Sequence, residues 1–291
     1  MTRALPPTAP PEPETADGVV LYRDAEVAPR PGYRPLRLDL AVPAGAPPDP
    51  GWPVVAFVPG GAFASAEPAP LGRYLGERLP EAGFAVATVH FRHSRGAVYP
   101  AQLHDVKAAV RWLRHHAGAL ALDPGRFGAW GHAAGGYLAV MLAVTGDRPD
   151  LEGDLGVTGP SSAVQAAVAW SPPSDFARLP PPTPGSPWHR TGQDPRTWLL
   201  GASPAEHPAL AAAASPLTHV TASAAPMLIA HGTGDNGIPI AQSEALISAC
   251  WQVGADAEFA WLPDTGHRYG HRTRAAMTTA GIEFLRRRLG H

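Results

Sequence analysis

The residues whose types and spacing could do chemistry fall in four stretches, each placed directly after a short apolar run. The most telling is Ala129-Trp130-Gly131-His132-Ala133-Ala134-Gly135-Gly136-Tyr137. It reads as a buried strand ending in a glycine-flanked turn from which a helix starts at once. In that setting G-x-S-x-G presents a nucleophilic hydroxyl above a sheet. Gly131 and Gly135 hold the two glycine positions, where chain segments approach too closely for a side chain, and the middle position is Ala133. Upstream, Val58-Pro59-Gly60-Gly61-Ala62-Phe63 puts two glycines after a strand. Backbone N–H groups there could face a ligand oxygen, as stabilising a tetrahedral oxyanion requires; a plain glycine turn explains the pair equally well. Downstream, His231-Gly232-Thr233-Gly234-Asp235 places Asp235 on a loop, where a carboxylate can orient a histidine and stabilise its imidazolium form. Finally, Leu262-Pro263-Asp264-Thr265-Gly266-His267 sets His267 just past the last apolar run, where a general base belongs. Taken alone, G-x-A-x-G is no more than a strand-to-helix turn. The chain order of nucleophile position, acid and histidine gives it weight.

Other candidates carry less. His267 and His271 would make a metal pair only if they shared one helix, and Gly266 and Gly270 argue against that; no H-E-x-x-H occurs, so no metal site is expected. Neither Gly60-Gly61 nor Gly135-Gly136 supplies a full G-x-G-x-x-G, and no cofactor is expected. His115-His116 and Arg286-Arg287-Arg288 read as solvated helix ends. Trp188 and Trp198 could line a substrate pocket or equally pack an insertion, and Asp264 is read as solvent-exposed.

The elements that must position these residues are legible as pattern. Val19 to Tyr22, and Leu36, Leu38 and Leu40, alternate as half-buried antiparallel strands do. Val54 to Val58, Ala85 to Val89, Phe127 to Trp130, Ala166 to Trp170, Met227 to Ala230 and Phe259 to Trp261 are apolar runs, as in strands covered on both faces. Leu103, Val106, Val110 and Leu113 share one helical face, and further helices are expected over Leu71–Ala82, Gly135–Val144, Gln242–Val253 and Thr273–Leu289. The alternation predicts an α/β domain with a doubly wound, mostly parallel sheet and an antiparallel N-terminal edge. Residues 1–17 are expected to form a disordered arm, having few large apolar groups, with 18–291 as one domain. The stretch 176–214, with its prolines, reads as a partial lid above the sheet.

Composition narrows the partners. A formal net charge of -2 provides no field for nucleic acid, and no apolar run has the length of a membrane span. The proline-rich start does not look like a secretory leader, and the single cysteine, Cys250, fits a reducing cytoplasm. A homodimer through the C-terminal helix is open.

With these motifs in hand, the chain resembles the bacterial carboxylesterases related to hormone-sensitive-lipase and feruloyl-esterase-like (BD-FAE-like) α/β-hydrolases, and more distantly the kynurenine formamidases. The resemblance rests on Phe91-Arg92, Tyr99-Pro100-Ala101, Asp105 with Trp112-Leu113, Asp123-Pro124-Gly125-Arg126, Gly131 to Gly136, Ser215-Pro216, and the segments of Asp235 and His267. It spans roughly residues 50 to 285. It implies an α/β-hydrolase fold and a small-molecule ester substrate. It also implies a triad of position 133, Asp235 and His267, with oxyanion donors from Ala134 and from the Gly60-Gly61-Ala62 loop. Two departures stand out: Pro59 replaces the family histidine before the paired glycines, and Ala133 replaces serine. Without a hydroxyl the acyl-enzyme route is closed. Ala133 is then an engineered Ser→Ala trap, a natural change that leaves a ligand-binding pseudo-esterase, or the mark of a cyclase or lyase using His267 as base. The first is favoured because Asp235, His267 and the glycine frame all persist. Within hydrolases, an amidase or arylformamidase is the alternative.

Overall fold

The computed structural model describes residues 8–30, 34–64, 70–182, 184 and 194–290. Among these residues nine strands and seven α-helices follow one another as β1 (Glu14–Ala16), β2 (Val19–Ala28), β3 (Leu36–Pro43), β4 (Trp52–Val58), α1 (Pro70–Glu81), β5 (Ala85–Val89), α2 (Ala101–His115), β6 (Leu122–His132), α3 (Ala134–Val144), β7 (Ala166–Trp170), α4 (Pro195–Leu200), α5 (Pro208–Ala214), β8 (Met227–Gly232), α6 (Ala241–Gln252), β9 (Ala257–Leu262) and α7 (His271–Leu289). The strands form one sheet in the order β1-β2-β3-β5-β4-β6-β7-β8-β9. β1 to β3 and the β3–β5 pair are antiparallel, and all later pairs are parallel. This is the doubly wound sheet with an antiparallel edge that the apolar runs predict.

Strand alternation sorts the core into two layers. Val54, Ala56 and Val58 of β4 face the layer shared with α2, α3 and α6, while Val55 and Phe57 face the layer shared with α1 and α7. Under α3 the sheet presents Ala129, Ala167 and Ala169, small residues that let this wholly buried helix lie close. On the other face Trp130 and Trp170 meet edge to face at 5.6 Å between ring centres. Helix α7 crosses Trp130 at Gly281, where a Cβ would overlap the indole, its Cζ2 lying 2.7 Å away. Gly281→Ala is therefore expected to destabilise the fold by about 1–3 kcal/mol through overpacking. That outweighs the gain in helix propensity of roughly 1 kcal/mol. A raised thermal midpoint for Gly281→Ala would show this contact to be misjudged.

Residues 8–17 depart from the disordered arm expected for them. Glu14–Ala16 pair with Val19–Leu21 across a two-residue turn, Asp17-Gly18, in which both residues have positive φ (50° and 77°). Asp-Gly is the dipeptide that favours such a hairpin turn, so a local turn signal prevails over poor hydrophobicity. Farther back, the Trp112 indole N–H donates to the Thr8 carbonyl at 3.0 Å. Residues 1–7 of the expected arm lie outside the described residues.

The described part of 176–214 packs downward. Phe176, Leu179, Leu199, Leu200, Ala211 and Ala214 are buried. The Tyr99 N–H and hydroxyl donate to the Leu199 and Ala213 carbonyls, both at 2.7 Å. No described helix is long and apolar enough to cross a membrane.

Candidate active site

Strand β6 ends at His132, and the next residue carries the turn. Ala133 has φ 53° and ψ -118°, a backbone conformation an L-residue adopts only under constraint. Neighbours hold it there: the Ala133 N–H donates to the Trp170 carbonyl at 2.9 Å, and its own carbonyl accepts from Tyr137 N–H at 2.9 Å. The flanking glycines are there for lack of space. A Cβ on Gly131 would strike the Gly135 peptide, one on Gly135 would strike the Val58 carbonyl, and one on Gly136 would come within 2.9 Å of the Trp170 carbonyl oxygen. The turn is thus wedged between β4 and β7, and its middle residue stands at the carboxyl end of the central strands. Helix α3 begins at Ala134, whose N–H, as the first of the helix, has no intrahelical acceptor.

Across the turn lies the glycine loop after β4. Gly61, Ala62 and Phe63 all have positive φ (136°, 54° and 61°), two of them without the freedom of glycine. Such strain costs on the order of 1–3 kcal/mol per residue and persists only where packing over-determines it. Here the Phe63 ring meets Tyr137 edge to face at 5.4 Å, and the Phe63 carbonyl accepts from Ser94 N–H at 2.8 Å. Gly60 is required by the turn, since its Cβ would lie 2.8 Å from the His132 carbonyl oxygen.

Asp235 and His267, 32 residues apart in the chain, meet at 2.8 Å between Oδ2 and Nδ1. The other carboxylate oxygen, Oδ1, accepts from the Gly237 and Ile238 N–H groups, each at 2.8 Å. Burial pushes the Asp235 carboxyl up, but hydrogen bonds from His231 and His267 and from the Ile238 amide outweigh it and hold the group ionised, well below the usual carboxylate range. An ionised carboxylate only accepts, so the His267 proton sits on Nδ1 and the lone pair on Nε2.

Three side chains that sequence reasoning passed over brace this pair. His231, fully buried, lies 2.8 Å from the Ile238 carbonyl and 3.3 Å from Asp235 Oδ2 through its Nε2, so that nitrogen carries the proton. Its Nδ1 then accepts from the Ser243 hydroxyl at 2.7 Å. Its signal lay in the H-G-x-x-D spacing, four residues before the acid. His132, beside Ala133, stacks on His267 with ring centres 4.9 Å apart and donates from Nε2 to the His267 main-chain carbonyl at 3.0 Å. Burial, with the His267 ring next to it, pushes His132 down to about 3.

A histidine depressed in the folded state binds its proton in the unfolded chain first. Its contribution to stability is therefore complete above pH 6.5 and is lost as pH falls from there toward 3. Acidification from pH 7.5 to 5 is expected to remove on the order of 2 kcal/mol through His132. The thermal midpoint of His132→Gln should accordingly fall less over that interval than that of the parent, and parallel declines in the two proteins would contradict the assignment.

Between the glycine loop and the descending segment lies a narrow slot of roughly 30 Å³, lined by Ala62, Phe63, Ala133 and Ala134 on one side and by Phe176, Leu179, Arg196 and Ile238 among others on the far side. Of the expected residues, Ala62, Ala133 and Ala134 line it, Gly60 and Gly61 shape the loop, and Asp235 and His267 form their pair beside it. His271 opens α7 and takes no part in that pair, and Asp264 is exposed. Trp198 is not among the residues lining the slot and instead has the Arg95 guanidinium 5.7 Å from its ring centre. Trp188 lies outside the described residues. His115 and His116 end α2, and Arg287 and Arg288 pair with Glu258 and Asp256.

The family model BD-FAE matches residues 38–250. The chain is 29% identical over 240 residues to the probable carboxylic ester hydrolase LipM of Mycobacterium tuberculosis, covering 79% of this chain and 53% of that protein. It is likewise 29% identical to the esterase LipQ of the same organism, covering 75% and 50%. The chain thus spans about half the length of these curated relatives. Among solved structures, a truncated carbohydrate esterase from gut microbiota superposes with a TM-score of 0.82 at 26% identity, covering 96% of this chain and 100% of that one. A thermophilic esterase from Thermogutta terrifontis gives 0.74 at 25% identity, covering 93% and 92%.

Proposed function

The chain belongs to the BD-FAE family of α/β-hydrolases, and from that premise we propose that its site is the frame of a serine carboxylesterase in which Ala133 stands at the nucleophile position. The observation that carries the reading is the backbone of Ala133. It keeps a strained φ of 53° that an alanine has no chemical use for and that a serine would need in order to hold its hydroxyl above the sheet.

With serine at 133, His267 Nε2 would take the hydroxyl proton as oxygen attacks the ester carbonyl, Asp235 stabilising the imidazolium. The Ala134 N–H and those of Gly61 or Ala62 would receive the oxyanion. His267 then returns the proton to the leaving alcohol and activates water for deacylation. With Ala133 no covalent intermediate forms, and the site binds an ester with only the residual turnover that oxyanion donors and binding supply. The persistence of strain, donors and the Asp235–His267 pair favours a Ser→Ala replacement in a working enzyme over a site long adapted to other use.

The slot of roughly 30 Å³ suits a short acyl group, and Phe176, Leu179, Pro180 and Pro182, with Asp194 to Arg196, form its partial lid. The substrate is a small-molecule ester.

The test is hydrolysis by the Ala133→Ser chain. p-Nitrophenyl acetate should be cleaved at least tenfold faster than the octanoate, and p-nitroacetanilide should be a poor substrate. Faster anilide than ester cleavage would favour the amidase alternative. Turnover by the chain as written, lost in His267→Ala, would favour a cyclase or lyase.

A further inference from the structure

A larger cleft, of roughly 760 Å³, opens on the other side of the glycine loop, and the proposed chemistry does not use it. Among the described residues its lining carries five arginines, Arg30, Arg34, Arg37, Arg92 and Arg95, against one carboxylate, Asp24. This concentration of positive charge occurs on a chain whose formal net charge is -2. Acidic groups hold at least Arg92 and Arg37. Arg92 is locked by Asp105, which is fully buried, with bonds of 2.8 and 2.9 Å from Nε, and Arg37 lies 3.6 Å from exposed Asp24. Arg34 and Arg95 are exposed, and no carboxylate among the described residues pairs with either. Guanidinium groups gathered in a concavity repel one another and focus a positive potential. An oxyanion relieves that repulsion and accepts the paired N–H bonds that arginine presents in a planar fork.

The position of the cleft ties it to the proposed chemistry. Ala64 lines the cleft, while Ala62 and Phe63 line the slot beside Ala133. The bond from Ser94 N–H to the Phe63 carbonyl fastens this shared wall to the segment carrying His93 and Arg95. The cleft therefore begins within two residues of the loop proposed to hold the oxyanion.

We propose that this arginine-lined cleft is an anion subsite that receives a carboxylate or phosphate borne on the alcohol part of the ester; as to its occupant, the assignment rests on the ester reading above.

Two arms test it. In the first, succinate and inorganic phosphate are titrated calorimetrically into the chain as written and into an Arg34→Gln/Arg95→Gln double variant, whose altered side chains are exposed and leave no buried void. Binding should weaken at least tenfold in the variant. In the second, the Ala133→Ser chain is given 4-acetoxybenzoate and its neutral counterpart 4-acetoxybenzamide. The ratio of kcat/KM, charged over neutral, should be about ten or more and should collapse toward one when Arg34 and Arg95 are also replaced. If succinate binding weakens but the ratio does not move, the cleft takes a free oxyanion and the substrate assignment is overturned. If neither succinate nor phosphate binds the parent more tightly than the variant, the subsite itself is overturned, whatever the esterase result. If neither ester is turned over while anion binding still depends on the two arginines, the ester reading fails and the anion site stands.

Discussion

Ala133→Ser is expected to raise the rate of p-nitrophenyl acetate hydrolysis by at least about 10³-fold over the chain as written, and by as much as about 10⁶-fold if the frame is fully competent. The upper figure corresponds to roughly 8 kcal/mol of transition-state stabilisation at 1.36 kcal/mol per factor of ten. What remains without the hydroxyl is catalysis by the oxyanion donors and by binding alone, about 10³–10⁴ over water in triad enzymes. The gain should be large because nothing else needs rebuilding. The turn already holds Ala133 at φ 53°, and His267, the proposed base, is oriented by a 2.8 Å bond to Asp235. The substitution adds one oxygen to a residue only 3% exposed in a site that already opens onto the slot, so folding should be little altered. The effect should appear in kcat, with KM moving little, because the lost interaction exists only along the acylation path. Initial rates of the two chains at matched concentration decide the matter. A gain below tenfold would mean that the loop or the base is misplaced.

Asp235→Asn in the Ala133→Ser chain is expected to lower kcat by about 10⁴-fold. The neighbouring amides dictate this loss. The Gly237 and Ile238 N–H groups, both at 2.8 Å, require an acceptor at Oδ1, so an asparagine must keep its oxygen there and turn its NH₂ toward His267. Facing a donor, His267 Nδ1 becomes the acceptor and its proton moves to Nε2, which removes the lone pair that takes the serine proton. The same NH₂ also meets the His231 Nε2 proton, 3.3 Å from the present Oδ2, a donor-to-donor contact that costs stability as well. The double variant should therefore show both lower kcat and a lower thermal midpoint, with KM nearly unchanged. Retention of more than a tenth of the activity would indicate that Asp235 is not the orienting group.

The parts of this site that depend on local sterics were readable from the chain. Gly131 and Gly135 are fixed by how closely β4 and the turn approach, and that requirement leaves a spacing in the sequence. Asp235 and His267 follow strand ends, so their place at the carboxyl edge of the sheet comes with recognising the strands. Not every bracing residue announces itself. His132 is simply the variable position of a five-residue motif until the fold brings the His267 carbonyl within 3.0 Å of it. The Arg92–Asp105 pair appears in sequence as two ordinary residues 13 apart, and only the fold brings them together around a fully buried carboxylate. The N-terminal strand was hidden differently, since average hydrophobicity hides a two-residue Asp-Gly turn. The arginine cleft gathers Arg30, Arg34 and Arg37 with Arg92 and Arg95, separated in sequence and joined because β3 pairs with β5. No single segment is basic enough to suggest it.

The most direct test of the central claim, that a serine-esterase frame surrounds Ala133, is covalent labelling. The chain as written, Ala133→Ser and Ala133→Ser/His267→Ala are each treated with a fluorophosphonate, and intact and peptide masses are recorded over time. One adduct at residue 133 is expected in the serine chain, forming within minutes, with far slower labelling when His267 is absent and none when Ala133 is retained. A folded Ala133→Ser chain that takes up no adduct at 133, or an equal adduct on the chain as written, would contradict the account.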